Sequence, residues 1–537
     1  MCGIFFTNSS DSTENYKLFH TLQHRGPDLS VFREENNYTY GFHRLAITEP
    51  NTKIAQPFLY KHIVVLCNGE IYNWKKLYKR FTMSFKPTET LPTDCGIIPL
   101  LYEYYDGNFM KVITELEGEF AIILHDTIQN KVFVARDFMG IRPLYYTVNS
   151  SQLWLASELK ALPGHLSAKH IQPREIYSFN LNEYNYFTES YWSMSPFPDI
   201  QKHCSMQSIL SGIYHRLRYS ISQRLESDQP IGCLLSGGID SSLIVSIASS
   251  IHPDIQCFTI GVPGSPDVEA ARRVADFLKV PLTVVDFSIE EGIATIPTVI
   301  HHLETYDITT IRASVPQYLL AKWIRTHTDI RVLLSGEGSD ELFSGYVYSK
   351  LAPSATELYQ DGIRLLKNLY QYDCLRTDRT LAACGLEVRV PFLDKFLVEY
   401  VLGIDPEMRM CSERPLQNLD RSLEKGLLRA MIQAYRLLPD EIARRPKEAF
   451  SDAVSASGQT SWYKSIQEWI ESFEFKLRQP AFINPPISQE SKFYRKIFQT
   501  LFPEQEHILS QFWMPRWTTQ NDPSATVLTC YVQSDSH

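Results

Sequence analysis

The stretch LLSGGIDSS at residues 234–242 lies between an apolar segment and a helical pattern. The segment IGCLL (231–235) predicts a short buried strand. An apolar stripe predicts the helix that follows, and its members are Ile239, Leu243, Ile244, Ile247 and Ile251. Two adjacent glycines allow the backbone to turn sharply between strand and helix and to expose its N–H groups. Because these groups and the helix N-terminus are positively polarised, the turn predicts a cradle for an anion.

The same alternation of strand and helix continues along the chain. The segments CFTIGV (257–262), LTVVDF (282–287) and IRVLL (330–334) predict further strands, and helical patterns separate them. Alternation of this kind is typical of a parallel sheet flanked by helices, which is an α/β fold. Ligands of such sheets bind beyond the carboxyl ends of the strands. We therefore expect the loop at 333–346, LLSGEGSDELFSGY, to lie near the first loop.

The first ~190 residues differ, because strand patterns there are separated by few long helices. HIVVLCNGEIYN (62–73) predicts a buried strand that runs into a turn at Asn68 and Gly69. EFAIILHDTIQNKVFVARD (119–137) predicts two strands around a polar turn, and QLWLASELKAL (152–162) predicts a strand and a short helix. We therefore expect an α+β N-terminal domain with stacked antiparallel sheets, joined to the α/β C-terminal domain.

A polar stretch with two prolines, SMSPFPDIQKHCSMQ (193–207), predicts a linker between the two domains. The expected domains are residues 1–195 and 205–515, and a polar tail follows at 516–537. A chain of 537 residues is too long for a single core, which agrees with this division.

The composition excludes several classes of protein. Hydrophobic residues make up 44% and charged residues 21%, as in a soluble globular protein. No apolar run approaches the ~18 residues that would span a membrane, and the N-terminus lacks the basic region and long apolar stretch expected of a secretory signal. The net charge of −9 disfavours a nucleic-acid binder. The ten cysteines include no CxxC pair, so we expect reduced thiols and a cytoplasmic location. The oligomeric state is left open, with a homodimer as one option.

Two loops carry the residues expected to handle a nucleotide. Ser236, Ser241 and Ser242 add hydroxyl donors to the glycine turn, and Asp240 can hold the Mg²⁺ that accompanies a nucleotide. The chain contains no GxxxxGK[ST] motif, so a Walker-type phosphate site is not supported. In SGEGSDE (335–341), Asp340 can share the Mg²⁺ and Glu337 can accept a proton. The alternative for this second loop is a solvated acidic turn.

The motifs of the chain resemble those of one enzyme family. LLSGGIDSS is similar to the pyrophosphate loop of ATP pyrophosphatases, which cleave ATP between its α and β phosphates. The N-terminal motifs resemble the glutaminase domain of class II amidotransferases, which has the N-terminal-nucleophile hydrolase fold; they are MCGIFF (1–6), HRGPD (24–28), NGEIYN (68–73) and ARDFMGIRPLYY (135–146). The C-terminal motifs resemble the synthetase domain of glutamine-hydrolysing asparagine synthetases; they are LLSGGIDSS, GVPGSPD (261–267), ETYDITTIRAS (304–314), SGEGSDE and EVRVPFLDK (387–395).

For the N-terminal domain, the resemblance implies that Cys2 is the nucleophile once Met1 is removed. The α-amino group of Cys2 would then serve as the base for its own thiol. An isolated cysteine would more often be a core residue. Asn68 and Gly69 are the implied oxyanion hole. The glutamine-binding residues implied by the family are Arg44, Leu45, Ala46, Ile47, Thr48, Asn68, Gly69, Glu70 and Asp94.

For the C-terminal domain, the resemblance implies sites for ATP, aspartate and Mg²⁺. The implied ATP-binding residues are Leu235, Ser236, Gly237, Gly238, Asp240, Ser241, Ser242, Ile260, Ser335 and Gly336. Thr309, Thr310 and Arg312 are the implied aspartate site, since a guanidinium suits a carboxylate. Lys447, in RRPKEAF (444–450), would neutralise charge that develops on the phosphates. The implied metal ligands are Asp240 and Asp340, and Glu337 is the implied base.

The implied activity is ATP-dependent synthesis of L-asparagine from L-aspartate with ammonia from L-glutamine. The reaction would pass through β-aspartyl-AMP and release AMP, pyrophosphate and glutamate. The main alternative is the same mechanism on a different carboxylate acceptor. Two further alternatives are an inactive binding or regulatory protein on the same scaffold and a free-standing hydrolase that releases ammonia.

Overall fold

A computed structural model of the chain describes residues 1–50, 55–84, 93–194, 204–416, 419–447, 461–473, 477, 483–519 and 522–523. The chain divides into two units. Unit 1 comprises Met1–Ser193, Leu381–Glu387 and Gln499–Ile508, and unit 2 comprises the remaining segments Met194–Thr380, Val388–Phe498 and Leu509–His537.

Unit 1 contains twelve described strands, arranged in two sheets. The strands are β1 Gly3–Thr7, β2 Leu29–Glu35, β3 Tyr38–Arg44, β4 Phe58–Tyr60, β5 Ile63–Ile71, β6 Gly118–Asp126, β7 Lys131–Arg136, β8 Tyr145–Val148, β9 Leu153–Ala156, β10 Lys169–His170, β11 Glu175–Asn180 and β12 Asn185–Ser190. The sheet orders are β10-β8-β9-β1-β3-β2 and β12-β11-β7-β6-β5-β4. Every strand pair in both sheets is antiparallel, which confirms the predicted antiparallel sheets.

The core of unit 1 follows from alternation along the strands. Ile4 and Phe6 of β1 share a buried cluster with Val64 and Leu66 of β5, so apolar residues from the two sheets form one core. Helices cover other parts of the unit: α1 Ser12–His20, α2 Trp74–Ser84, α3 Ile97–Tyr104 and α4 Phe109–Glu115. A second buried cluster joins residues of β5 and β6 to residues of α3 and α4.

One local prediction in this unit is wrong. Asn68 and Gly69 do not form a turn, because they lie inside β5 and pair with Ala121 and Phe120 of β6. A Cβ at Gly69 would lie 2.0 Å from the carbonyl oxygen of Glu119, so only glycine allows the strand to continue at this distance from β6.

The second half of the chain contains the five-stranded sheet. Its strands are β13 Ile231–Leu234, β14 Gln256–Gly261, β15 Leu282–Asp286, β16 Val332–Leu334 and β17 Glu387–Arg389, whose first residue is counted with unit 1. The order is β15-β14-β13-β16-β17. The pairings of β13 with β14 and β16, and of β14 with β15, are parallel, as predicted. The carboxyl ends of these strands therefore meet at one edge of the sheet. A separate hairpin consists of β18 Ser412–Leu416 and β19 Leu419–Arg421.

Helices separate these strands and continue after them. They are α5 Met206–Arg224, α6 Ile239–Ile251, α7 Pro266–Leu278, α8 Ile289–Leu303, α9 Ile308–His327, α10 Ser339–Phe343, α11 Ala355–Asn368, α12 Asp373–Ala382, α13 Lys395–Leu402, α14 Gly426–Tyr435, α15 Asp440–Ala443, α16 Trp462–Glu471 and α17 Gln489–Leu501. Among the described residues, no helix is both long enough and apolar enough to span a bilayer.

The predicted domain limits stay predictions. Most of the predicted linker and most of the predicted tail lie outside the described residues. The short returns of the chain to unit 1, at Leu381–Glu387 and Gln499–Ile508, are not anticipated by any pattern in the sequence.

Candidate active sites

Cys2 lies directly before β1 in unit 1. Gly3 pairs with His43 of β3, which brings the end of β3 beside the thiol. The Cys2 Sγ lies 4.0 Å from the carbonyl oxygen of Leu45, and the Arg25 Nε donates to the carbonyl oxygen of Cys2 at 3.0 Å. Burial raises the pKa of the Cys2 thiol to about 11, against the opposing effect of the nearby N-terminal ammonium. The thiol therefore needs a base before it can act as a nucleophile.

Asn68 offers a free donor next to this thiol. Its Oδ1 accepts a hydrogen bond from the backbone nitrogen of Cys2 at 2.8 Å. Its Nδ2 is buried and has no hydrogen-bond partner within the part of the chain that the structure describes. Buried polar atoms are nearly always paired, so an unpaired amide beside a thiol is suited to a charged oxygen of a substrate.

The predicted glutamine-binding segment 44–48 is held in place by hydrogen bonds. The Arg44 Nη2 donates to the carbonyl oxygens of Thr48 and Glu49 at 2.9 and 3.0 Å, and Asp28 accepts from the backbone nitrogen of Ala46 at 2.8 Å. Arg44 ends β3, so the segment begins at the strand end that lies beside Cys2.

The two predicted acidic residues lie by the end of β5. Glu70 follows Gly69 in the strand and acts on the same thiol, since its charge raises the pKa of Cys2. Asp94 is buried, and its Oδ2 accepts from the backbone nitrogen of Ile71 at 2.8 Å. Burial raises the pKa of the Asp94 carboxyl above its usual range.

Unit 2 has a cavity of about 260 Å³, lined in part by the loops that follow β13 and β16. Predicted site residues from LLSGGIDSS, ETYDITTIRAS, SGEGSDE and RRPKEAF line it together with Ile260, and these are Leu235, Ser236, Gly238, Asp240, Ser241, Ile260, Thr309, Thr310, Arg312, Ser335, Gly336, Glu337, Asp340 and Lys447. Gly237 and Ser242 are not part of the lining. The structure thus brings together residues that are more than 200 positions apart in sequence.

The glycine loop after β13 is shaped by close packing. Gly237 has a φ of +75°, and a Cβ there would lie 2.5 Å from the backbone nitrogen of Ala271 in α7. The backbone nitrogen of Ser236 donates to the Ser241 Oγ at 3.2 Å, which closes the loop over the start of α6. A Cβ at Gly336 would lie 2.9 Å from the backbone nitrogen of Ser241, so the two predicted loops touch.

Two lysines hold the aspartates of these loops. The Lys425 Nζ, which is buried, contacts the Asp240 Oδ2 and lies 2.7 Å from the Asp340 Oδ1. The Lys447 Nζ lies 2.8 Å from the Asp340 Oδ2. Although burial opposes it, the two ammonium groups hold the pKa of Asp340 well below its usual range. Likewise, the charges of Asp340 and Asp240 outweigh burial and raise the pKa of Lys447.

Glu337, the predicted base, is bound by an arginine. The Arg376 Nη2 donates to the Glu337 Oε2 at 2.9 Å and to Asp373 at 2.6 Å, and its Nη1 donates to Gln317 at 3.0 Å. Burial raises the pKa of Glu337 despite the opposing charge of Arg376. A raised pKa makes this carboxylate a stronger base, because its pKa then lies closer to neutral pH.

The predicted aspartate site lies at the start of α9. Asp307 caps this helix and accepts from the hydroxyls of Thr309 and Thr310 at 2.8 and 2.7 Å. The guanidinium of Arg312 has two carboxylate partners, Glu490 and Asp522. Neither partner belongs to a motif identified in the sequence.

Comparisons with known proteins identify the family of the chain. The family described as Glutamine amidotransferase domain matches residues 1–203, and the family described as Asparagine synthase matches residues 212–365 and 350–529. A probable asparagine synthetase of Acanthamoeba polyphaga mimivirus is 38% identical over 98% of this chain and all of its own length. The glutamine-hydrolysing asparagine synthetase of Rattus norvegicus is 38% identical and that of Homo sapiens 37%, each over 99% of both chains. This chain belongs to the glutamine-hydrolysing asparagine synthetases.

In agreement with the resemblance drawn from the motifs, the chain combines a glutamine amidotransferase domain, built on antiparallel sheets, with an asparagine synthase domain, built on a parallel sheet. Both predicted fold classes are therefore confirmed.

Two carboxylates of the cavity would fit a metal ion that arrives with ATP. Mg²⁺ bound with a nucleotide commonly takes only one or two carboxylates and completes its shell with phosphates and water. Asp240 and Asp340 supply two carboxylates on one cavity wall. The described residues include no group of three metal-ligating side chains, so the phosphates would have to supply the other ligands. Lys425 now contacts both aspartates, and a metal ion would compete with it.

Proposed function

We propose that this chain synthesises L-asparagine from L-aspartate, with ammonia from L-glutamine and with cleavage of ATP to AMP and pyrophosphate. The observation that carries the proposal is the cavity in unit 2, because the glycine loop, the acidic loop, the start of α9 and Lys447 all line it. Membership of the asparagine synthetases supports aspartate as the acceptor over other carboxylates.

Glutamine is hydrolysed at Cys2. The α-amine of Cys2, freed by removal of Met1, takes the thiol proton, and Sγ attacks the side-chain carbonyl carbon of glutamine. The Nδ2 of Asn68 stabilises the charged oxygen of the tetrahedral intermediate, together with the backbone N–H of Gly69. The C–N bond breaks and ammonia leaves. Water then hydrolyses the thioester and releases glutamate. Arg44 binds the α-carboxylate, and Glu70 and Asp94 bind the α-ammonium.

Aspartate is activated in unit 2. A β-carboxylate oxygen attacks the α-phosphorus of ATP, the bond to the bridging oxygen breaks, and pyrophosphate leaves. The donors of Ser236, Gly238 and Ser241 bind the leaving pyrophosphate, and Lys447 neutralises its growing charge. Asp240 and Asp340 would hold Mg²⁺, which screens the phosphate charge. The product is β-aspartyl-AMP.

Ammonia then attacks the acyl carbon of β-aspartyl-AMP. Glu337 accepts a proton from the attacking nitrogen, and its raised pKa suits this task. The C–O bond to AMP breaks, and asparagine and AMP are released. A cytoplasmic location stays a prediction that accompanies this function, and the oligomeric state stays open, with a homodimer as one option.

To test the proposal, purified protein is incubated with ATP, Mg²⁺, aspartate and either glutamine or ammonium. We expect equal amounts of asparagine, AMP and pyrophosphate with either nitrogen source. Formation of ADP would overturn the adenylation step. Replacement of aspartate by other amino-acid and dicarboxylate acceptors, with pyrophosphate as the readout, identifies the acceptor directly.

A further inference from the structure

The guanidinium of Arg312 is shared by two carboxylates of different character. Its Nε donates to the Glu490 Oε1 at 2.8 Å, and its Nη2 contacts the other oxygen of the same carboxylate. Its Nη1 and Nη2 donate to the two oxygens of Asp522, each at 3.0 Å. Both edges of the guanidinium therefore bind a carboxylate in the paired manner that arginine favours.

Glu490 is a fixed partner. Its side chain is 1% exposed, it lies in the first turn of α17, and the hydroxyl of Tyr494 donates to its Oε1 at 2.8 Å. Loss of a buried partner of this kind leaves an uncompensated charge in the interior. Glu490 therefore keeps Arg312 in position whether or not a substrate is bound.

Asp522 is a replaceable partner. Its side chain is 24% exposed, and neither Asp522 nor Pro523 belongs to a helix or strand. Pro523 and Arg312 both line the cavity proposed to hold ATP and aspartate. Gln467 of α16 also donates to the Asp522 Oδ2, at 3.0 Å. The carboxylate of Asp522 thus occupies one edge of a guanidinium that lines the cavity, and it is the same chemical group as the side-chain carboxylate of the acceptor.

We propose that Arg312 and Gln467 form a carboxylate subsite for the acceptor, and that Asp522 occupies this subsite until aspartate displaces it. This inference rests on the proposed function. One carboxylate of aspartate must reach the α-phosphate of ATP, so the subsite takes the carboxylate that does not react. The exchange replaces one carboxylate by another of equal charge, so the net charge around Arg312 and Glu490 does not change. Asp522 therefore acts as an internal competitor of the substrate.

Competition of this kind has a distinct kinetic form. When only a fraction of the molecules is in the binding-competent state, the apparent affinity for the substrate is reduced in proportion to that fraction. Saturating substrate nevertheless restores full activity. We expect Asp522→Asn to lower the KM for aspartate about threefold or more, with kcat and the KM for ATP unchanged. The assay uses ammonium as the nitrogen source and pyrophosphate as the readout. Calorimetric titration of aspartate into the protein should give the same change in affinity.

The control is Glu471→Gln, because Glu471 is an exposed carboxylate at the end of α16. It removes the same charge from unit 2, so its KM for aspartate should equal that of the wild type. An unchanged or higher KM in Asp522→Asn would overturn the proposal. A fall in kcat together with a lower melting temperature would also overturn it, because that result means that Asp522 only supports the fold.

Gln467 is tested in the Asp522→Asn background, where the carboxylate of Asp522 no longer competes with aspartate. Gln467→Ala should then raise the KM for aspartate about fivefold, the value of one ordinary hydrogen bond. No change in KM would remove Gln467 from the subsite and leave it as a contact of Asp522 and Glu490 only. If the wild-type protein makes no asparagine with ammonium, the proposed function fails. If it makes asparagine and Asp522→Asn does not lower the KM, only the present inference fails.

Discussion

The nitrogen of Cys2 determines whether its thiol can react. With Met1 attached, this nitrogen is an amide that donates to Asn68, and an amide has no basic lone pair. The buried thiol then keeps its proton, because its pKa is about 11. We predict that a chain with one uncleaved residue ahead of Cys2 loses glutamine-supported synthesis, by about 10³-fold or more, as does Cys2→Ala.

Both changes should leave ammonium-supported synthesis unaltered, since they do not touch unit 2. The measurement is asparagine formation with each nitrogen source, with N-terminal mass spectrometry to establish whether Met1 is present. Equal glutamine use by the extended chain and the wild type would show that the α-amine is not the base.

Glu341 makes stability depend on pH. Burial and the charges of Asp373 and Asp340 raise its pKa from 4.5 to about 8, and the hydroxyl of Tyr346 donates to it. Because the folded state binds this proton more tightly than the unfolded state, the stabilising contribution is complete below pH 4.5 and is lost as the pH rises through 8. We predict that the melting temperature of Glu341→Gln, measured relative to that of the wild type at the same pH, rises from pH 6 to pH 9, because glutamine cannot ionise.

The exposed Glu471→Gln variant is the control, and its difference from the wild type should not change with pH. If the difference between Glu341→Gln and the wild type stays constant from pH 6 to pH 9, the raised pKa is refuted.

At the residue level, sequence patterns identify side chains that belong to motifs and miss those that do not. Asp240 and Asp340 stand in glycine-rich loops after strands, where their chemistry is evident. Lys425 contacts both, yet it is a single lysine in a polar stretch, a context typical of a solvated side chain. The signal for Lys425 is a physical argument and not a motif: two carboxylates in one cavity require a positive charge nearby. Asp522 had no such signal.

At the level of elements, the glycine loop depends on how closely α7 packs against it. A Cβ at Gly237 would approach the backbone nitrogen of Ala271 to 2.5 Å and the Cβ of Ala270 to 2.6 Å. We predict that Gly237→Ala abolishes synthesis with either nitrogen source and leaves glutamine hydrolysis intact, because the loop must shift away from α7 and open its anion cradle.

Gly264 provides a matched control. It also has a positive φ, +79°, but a Cβ there would meet no atom within 4 Å. Gly264→Ala should therefore lower the free energy of unfolding only by the ~1–2 kcal/mol that a left-handed backbone costs a residue with a side chain. We expect this loss to appear as a modest fall in melting temperature. Equal loss of synthesis in both variants would mean that backbone strain, and not the contact with α7, limits the loop.

Sequence periodicity predicted most of these elements and could not predict their exceptions. The alternation from β13 to β16 predicts a parallel sheet, because each strand is a short apolar run and an apolar helical stripe follows it. Asn68 and Gly69 suggested a turn, since this dipeptide is common in turns. Pairing with β6 overrides that local preference. Tertiary pairing of this kind depends on residues about 50 positions away, which a local pattern does not contain.

At the scale of the whole molecule, the two proposed sites lie in different units, so each can be inactivated separately. Cys2→Ala should abolish glutamine hydrolysis and retain synthesis from ammonium. Lys447→Met should do the reverse, because it removes one of the two cations beside Asp340 and leaves unit 1 unchanged. This pair of variants makes it possible to ask whether ammonia travels within one chain or through the solvent.

The resemblance to glutamine-hydrolysing asparagine synthetases also implies that ammonia passes internally to the second site, and we predict this behaviour for the chain. With glutamine as the nitrogen source, the wild type should keep making asparagine in the presence of an enzyme that consumes free ammonia. A mixture of Cys2→Ala and Lys447→Met should make asparagine only when that enzyme is absent, because its ammonia must cross the solvent. Ammonium-supported synthesis by Cys2→Ala verifies that the scavenger is fast enough. Equal suppression of the wild type and the mixture would mean that the two sites are coupled only through free ammonia.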